Sequence, residues 1–302
     1  MANSISRKVD LFRMLKNKPL LVSGIFVVIV ATILLLQPNS IYYEYVPGVS
    51  TDSFSKSGLA WATTHCGDQV VLEAVSGSYH RWSPEYNTCP NQPEFIPLWR
   101  PSNSHEWTFP IDYSRYALFL NEPDGTIPDG DALTSLQSAQ KYIEFKSICP
   151  NCRIIALNLA RGDNTSYATA WRNHVNQLTG SYPIVEGYGI HAYGTRIQII
   201  NQIQSFRNWM VANGESNKQL WLTEFGGAYA SNRTQLSANE LQLLLNQLDD
   251  WDYLNRYFWF PTRWYKPGDC STNCPPNVFF IGNTQLLTPL GTVYSNGSNG
   301  YP

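Results

Sequence analysis

Charge is scarce in this sequence. Asp, Glu, Lys and Arg together make 15% of 302 residues, and the net charge of -2 leaves no basic patch. That excludes the electrostatic footprint of a nucleic-acid-binding protein. A small-x-small cleavage site is also lacking after the one long apolar run, which ends Leu34-Leu35-Leu36-Gln37-Pro38. What is plentiful is aromatic: 14% Phe, Trp and Tyr, including 10 Trp. The length suits one large barrel or two smaller domains, and no boundary for a second domain is visible beyond the front end.

The first 18 residues hold Arg7, Lys8, Arg13, Lys16 and Lys18 against the single acid Asp10. The uncharged run Leu20 to Leu36 follows, at the short end of what spans a bilayer and longer than a usual signal-peptide core. With positive charge on its amino-terminal side, the run predicts a transmembrane signal anchor over 19–37 that leaves residues 1–18 as a cytoplasmic tail. A cleaved signal peptide, and so a secreted protein, is the runner-up; a buried core helix would leave the charge asymmetry unexplained. Residues 38–56 read as a linker.

Six cysteines fit a location outside the cytoplasm. Proximity suggests Cys66–Cys89, Cys149–Cys152 and Cys270–Cys274, among fifteen possible connectivities. A zinc site built from Cys149, Cys152, Cys270 and Cys274 is disfavoured, because the layout below puts the two pairs at opposite ends of a barrel. The sequons at Asn164, Asn232 and Asn296 would matter only in a glycosylating host. No cofactor is implied.

From residue 57 short apolar segments alternate with helical ones. Strands are predicted at Gly58–Ala62, Ser78–Trp82, Glu94–Trp99, Tyr116–Asn121, Arg153–Leu157, Val185–His191, Gln219–Thr223 and Arg256–Phe260. Pro97 weakens the third. Helical character is read at Asp68–Val75, Asp131–Ile148, Tyr167–Leu178, Arg196–Ala212, Ser237–Tyr253 and Pro289–Ser295. Ser237 with Glu240 forms a capping-box signature. Eight strands with interleaved helices over about 240 residues predict an α/β fold of the (β/α)8 TIM-barrel type for 57–302. Continuous apolar strands, rather than alternating ones, fit a sheet covered on both faces.

Two carboxylates stand out. Glu122 follows the apolar run Tyr116–Leu120 and precedes Pro123, which stops the strand and turns the chain outward. Glu224 sits at the carboxyl end of Leu220-Trp221-Leu222-Thr223, released by Gly226-Gly227. Strands four and seven of a barrel aim their last residues into one mouth, and two convergent carboxylates there are the equipment of glycoside hydrolysis. The expected division has Glu122 protonated near neutrality, through partial burial and a nearby negative charge, and Glu224 ionised. Asn121 would donate to a sugar 2-hydroxyl, His191 and Tyr193 would reach the same rim, and Trp61, Trp82, Trp99 and Trp259 would offer stacking faces. Each tryptophan has an ordinary alternative as core packing, and a lone histidine as a satisfied structural residue. Trp221 is assigned to packing.

Asn121-Glu-Pro-Asp124, His191-Ala-Tyr-Gly194 and Thr223-Glu-Phe-Gly226 resemble the motifs of clan A glycoside hydrolases. With Gly58-Leu-Ala-Trp61, Tyr79 through Trp82-Ser-Pro84, Phe95-Ile-Pro-Leu-Trp99 and Arg256-Tyr-Phe-Trp-Phe260, the chain from 57 onward is most similar to glycoside hydrolase family 128, the Asl1-like catalytic domain. The resemblance implies a retaining mechanism, with Glu122 as acid/base, Glu224 as nucleophile and β-1,3-glucan cut internally. The catalytic domain is expected to be monomeric, with the polysaccharide as its partner. Two departures bear on substrate choice. Ala192 stands where many relatives carry Trp, and the loop Thr262–Phe279, with Cys270 and Cys274, has no counterpart in the family pattern. The alternatives are a clan A hydrolase or transglycosylase for another β-linked polysaccharide, and a barrel that binds glycan without cutting it.

Overall fold

The computed structural model describes residues 56–60, 78–82, 94–102, 115–126, 130–226, 236–261, 279 and 286–297. The predicted anchor, the linker up to residue 55, Trp61, the Asp68–Val75 helix, Cys66, Cys89, Cys270, Cys274, Asn232 and nearly all of the Thr262–Phe279 loop lie outside these residues. Among the described residues no helix is long and apolar enough to cross a membrane.

Nine parallel strands form one sheet: β1 (Ser57–Ala60), β2 (Ser78–His80), β3 (Glu94–Ile96), β4 (Leu98–Trp99), β5 (Tyr116–Phe119), β6 (Arg153–Leu159), β7 (Gly187–Tyr193), β8 (Gln219–Gly226) and β9 (Leu254–Trp259). Their order is β3-β2-β1-β9-β8-β7-β6-β5-β4. The two ends of that order are the halves of a single segment, Glu94–Trp99. Pro97 has no amide hydrogen to give a ladder, so among the described residues β3 pairs only with β2, β4 only with β5, and the Pro97 carbonyl accepts from Leu118. The result is a nearly closed TIM-type barrel. The predicted strands four to eight are therefore β5 to β9.

Helices α1 (Ser135–Ile148), α2 (Thr165–Thr179), α3 (Arg196–Ala212) and α4 (Ala238–Asp250) follow β5, β6, β7 and β8, and α5 (Pro289–Asn296) comes last. Capping boxes start three of them: Thr134 with Gln137, Thr195 with Gln198, and Ser237 with Glu240. The first of these corrects the predicted start of α1. Asp131 stands outside the helix, because its carboxylate is engaged by the chain around Asn121. Cys149 caps the end of α1 and is bonded to Cys152 at the foot of β6.

Side chains alternate across each strand, so the barrel has two cores. Ala60, Ile96, Leu98, Leu118, Ile155, Trp221 and Phe258 fill the inside. The alternate positions pack outward onto the helices. That alternation corrects two expectations. Trp99 stacks on Phe119 and packs against Phe145 of α1, and Trp259 stacks on Phe279 beside Tyr294 of α5; both are wholly buried. Neither offers a face to the mouth. Proximity to a strand end suggested a rim position, but the parity of the strand assigns these two indoles to the sheet–helix layer.

Candidate active site

The segment carrying Glu122 leaves β5 in an unusual conformation. Leu120 and Glu122 both adopt left-handed backbone angles, with φ of 67° and 46°. Two carboxylates hold the segment from either side. Asp131 accepts the Asn121 amide at 2.8 Å and the Arg100 Nε at 2.8 Å, while its own amide donates to the Asn121 carbonyl. Asp124 accepts the Ala160 amide and the Asn164 side-chain amide, each at 2.8 Å. Burial raises both aspartates above their ordinary range, against these donors.

Glu224 lies inside β8 rather than beyond it, since pairing with β7 continues to Gly226. The register slips at Thr223, which sets Glu224 opposite His191. A bulge of this kind re-aims the side chains around it. The slipped Thr223 carbonyl is met at 2.6 Å by His80 Nε2 from β2. Burial, only partly offset by that bond, lowers the His80 pKa to about 4. The ring is therefore neutral, and Nε2 carries the hydrogen it donates.

His191 joins the two carboxylates. Its Nδ1 is 2.8 Å from Glu122 Oε1 and 3.5 Å from Glu224 Oε2, and the ring is wholly buried. Glu224 Oε2 also accepts from the Tyr193 hydroxyl at 2.5 Å, and its Oε1 from Trp82 Nε1 at 3.0 Å. The same indole N–H reaches Asn121 Oδ1 at 3.0 Å. Glu122, Glu224, Asn121, His191, Tyr193 and Trp82 thus come together, whereas Trp99 and Trp259 do not.

The electrostatics run opposite to the division expected from sequence. Burial alone would raise Glu122, but the hydrogen bond and charge of His191, with Arg100, draw it below its ordinary value. Glu224 is raised, first by burial and then by the Glu122 charge, against His191, Tyr193 and Trp82. His191 is raised despite burial, because Glu224, Glu122 and Asp124 all favour its cation. The cause is position: the imidazole sits closer to the half-open Glu122 than to the enclosed Glu224. Three groups so close titrate as a unit, sharing protons.

The Glu122, His191 and Glu224 donor atoms lie within 4.8 Å of one another, near enough to hold a cation. Each is already engaged in the hydrogen bonds above.

A family profile described as glycosyl hydrolase catalytic core matches residues 58–294. This chain belongs to that family. No curated protein sequence matches it. Solved structures similar to this member of the glycosyl hydrolase catalytic core family include three from glycoside hydrolase family 128. A subgroup II endo-β-1,3-glucanase from Pseudomonas viridiflava is 17% identical, with TM-score 0.62, over 79% of this chain and 96% of its own. A subgroup I endo-β-1,3-glucanase mutant from Amycolatopsis mediterranei, in complex with laminaripentaose, is 18% identical, with TM-score 0.61, over 80% and 99%. A subgroup III curdlan-specific exo-β-1,3-glucanase from Blastomyces gilchristii, in complex with glucose, is 17% identical, with TM-score 0.57, over 79% and 97%. At these identities the likeness establishes the fold.

Sequence reasoning missed Asp131, Arg100 and the use of His80. Asp131 was visible as an acid ten residues after Asn121, but nothing local marked it as that residue's partner. His80 lies within the Tyr79–Trp82 stretch, beside the aromatic residues that carry the family resemblance.

Proposed function

We propose that this chain is a retaining glycoside hydrolase that cuts β-1,3-glucan internally, with Glu224 as nucleophile and Glu122 as acid/base. One observation carries the reading: carboxylate oxygens of Glu122 and Glu224 lie within 4.8 Å of each other, both beside His191 Nδ1. Carboxyl groups about 5–5.5 Å apart suit double displacement, whereas inversion needs about 6.5–9.5 Å to admit a water.

The surroundings support the division of roles. Glu224 is enclosed and receives two fixed donors, Trp82 and Tyr193, both of which serve the ionised form. Glu122 is 18% exposed and its closest partner, His191, is itself titratable. Its low intrinsic proton affinity is that of the free site. The His191 cation can return a proton from Nδ1 to Glu122 Oε1 along their 2.8 Å bond. Asn121, with Oδ1 held by Trp82, presents its amide hydrogens as donors for a 2-hydroxyl, an interaction that strengthens in the transition state.

The substrate rests on the β-1,3-glucanases of similar fold, two of which have laminari-oligosaccharide or glucose bound. The basic tail and the apolar run 20–36 support a membrane anchor with the barrel outside the cytoplasm, and the Cys149–Cys152 disulfide fits that compartment. The test is release of oligosaccharides from laminarin and curdlan, beside xylan and mannan, by the full chain and by Glu224→Gln. Long products from the β-1,3-glucans, absent with the variant, are expected. Glucose alone would mean exo cleavage, and release only from xylan or mannan would overturn the substrate.

A further inference from the structure

Asn158 is the extra residue of a bulge in β6: Leu157 pairs with Gly189 and Leu159 with Ile190, leaving Asn158 between them. It is wholly buried, and both it and Leu157 have left-handed backbones, with φ of 45° and 79°. With Leu120 and Glu122, they make four of the five non-glycine residues of positive φ among the described residues. Such conformations persist only where their surroundings over-determine them, and they gather at functional sites.

Here Asn158 joins Asp131 and Asp124 in holding the turn. Asn158 Nδ2 donates to the Leu120 carbonyl at 2.8 Å and the Phe119 carbonyl at 3.2 Å, and the Asn158 carbonyl accepts the Glu122 amide at 2.9 Å. Both ends of the strained turn are thus tied to the same residue. The neighbouring strand is cut away to admit it. A Cβ on Gly189 would fall 1.9 Å from Asn158 Oδ1, so only glycine leaves room for the carboxamide.

We infer that Asn158 is a positioning residue for the reaction, fixing the turn that aims Glu122 at His191 and at the scissile bond. This rests on the glycosidase reading above. Asn fits the place because it tolerates the left-handed region and brings two amide hydrogens for two carbonyls. An aspartate of the same shape would fit but, ionised, could donate to neither.

Asn158→Asp is therefore the informative variant, assayed on laminarin beside the wild-type chain. Displacing a reacting group by about 1 Å costs on the order of 100-fold, so kcat is expected to fall about 100-fold while KM stays within about two-fold. A protonated carboxyl can still give one hydrogen bond, so the ratio of variant to wild-type activity is expected to rise as pH falls. A merely destabilised barrel would not behave so, and melting curves at each pH check this. A wild-type rate and pH profile in the variant would overturn the inference.

A readout independent of activity separates this from failure of the functional reading. In Asn158→Ala, the His191 ring followed by NMR is expected to titrate closer to its ordinary 6.5 than in wild type, since the Glu122 bond that raises it is loosened. An unchanged His191 titration overturns the positioning role even if no glycan is cut. If the alanine variant does not fold, the aspartate variant decides alone.

Discussion

Glu122 and Glu224 both meet Nδ1 of the His191 imidazole, and Glu224 is further held by Tyr193 and Trp82. The donors on Glu224 lower a pKa that burial raises. Tyr193→Phe removes one of them while keeping the ring. Hydrogen bonds to charged groups are worth about 1.5–3 kcal/mol, so kcat/KM is expected to drop by roughly 10- to 100-fold. As the proposed nucleophile, Glu224 must be ionised to act, and its pKa rises in the variant, so the acidic limb of the pH profile is expected to move to higher pH. An unmoved limb would show that Tyr193 does not bear on Glu224. Glu122 was legible in the sequence because Pro123 ends its strand. Asn158 was not, since its bulge exists only through pairing with β7 and its three bonds reach 36 to 39 residues back along the chain.

At the scale of elements, boundaries that depend on local chemistry could be read ahead. Arg196–Ala212 has the predicted limits, and Ser237 caps α4 as its spacing with Glu240 indicated. Features set by neighbouring strands could not: the ends of β7 and β8, the slip at Thr223 and the outward parity of Trp99 and Trp259. That parity gives a stability prediction. Trp99→Ala empties a site between β4 and α1 and is expected to cost about 3–5 kcal/mol, read as a lower denaturant midpoint. The KM of the folded fraction should stay that of wild type. A raised KM with unchanged stability would return Trp99 to the sugar site.

For the whole molecule, one interior ring adds a share of acid sensitivity to the barrel's stability. His80 is held near a pKa of about 4 against 6.5 in the unfolded chain. Above 6.5 both states are neutral there. Between 6.5 and 4 the unfolded chain takes up a proton that the folded chain refuses, so stability falls as pH falls, by about 1.4 kcal/mol per unit and roughly 3 kcal/mol over the window. His80→Gln is expected to lose that share of the pH dependence, seen as a smaller drop in Tm from neutral to acid pH. An unchanged drop would mean that His80 is not the neutral donor to Thr223. The architecture itself was plain from the alternation of apolar strands and helices. The split of one strand at Pro97, which brings the sheet to near closure, follows from a single missing amide hydrogen.

The most direct measurement follows the anomeric protons by NMR while the full chain digests laminarin. Two carboxylates this close predict that the first reducing ends formed are β, drifting to the equilibrium mixture only afterwards. Reducing ends that first appear as α would contradict double displacement by Glu122 and Glu224.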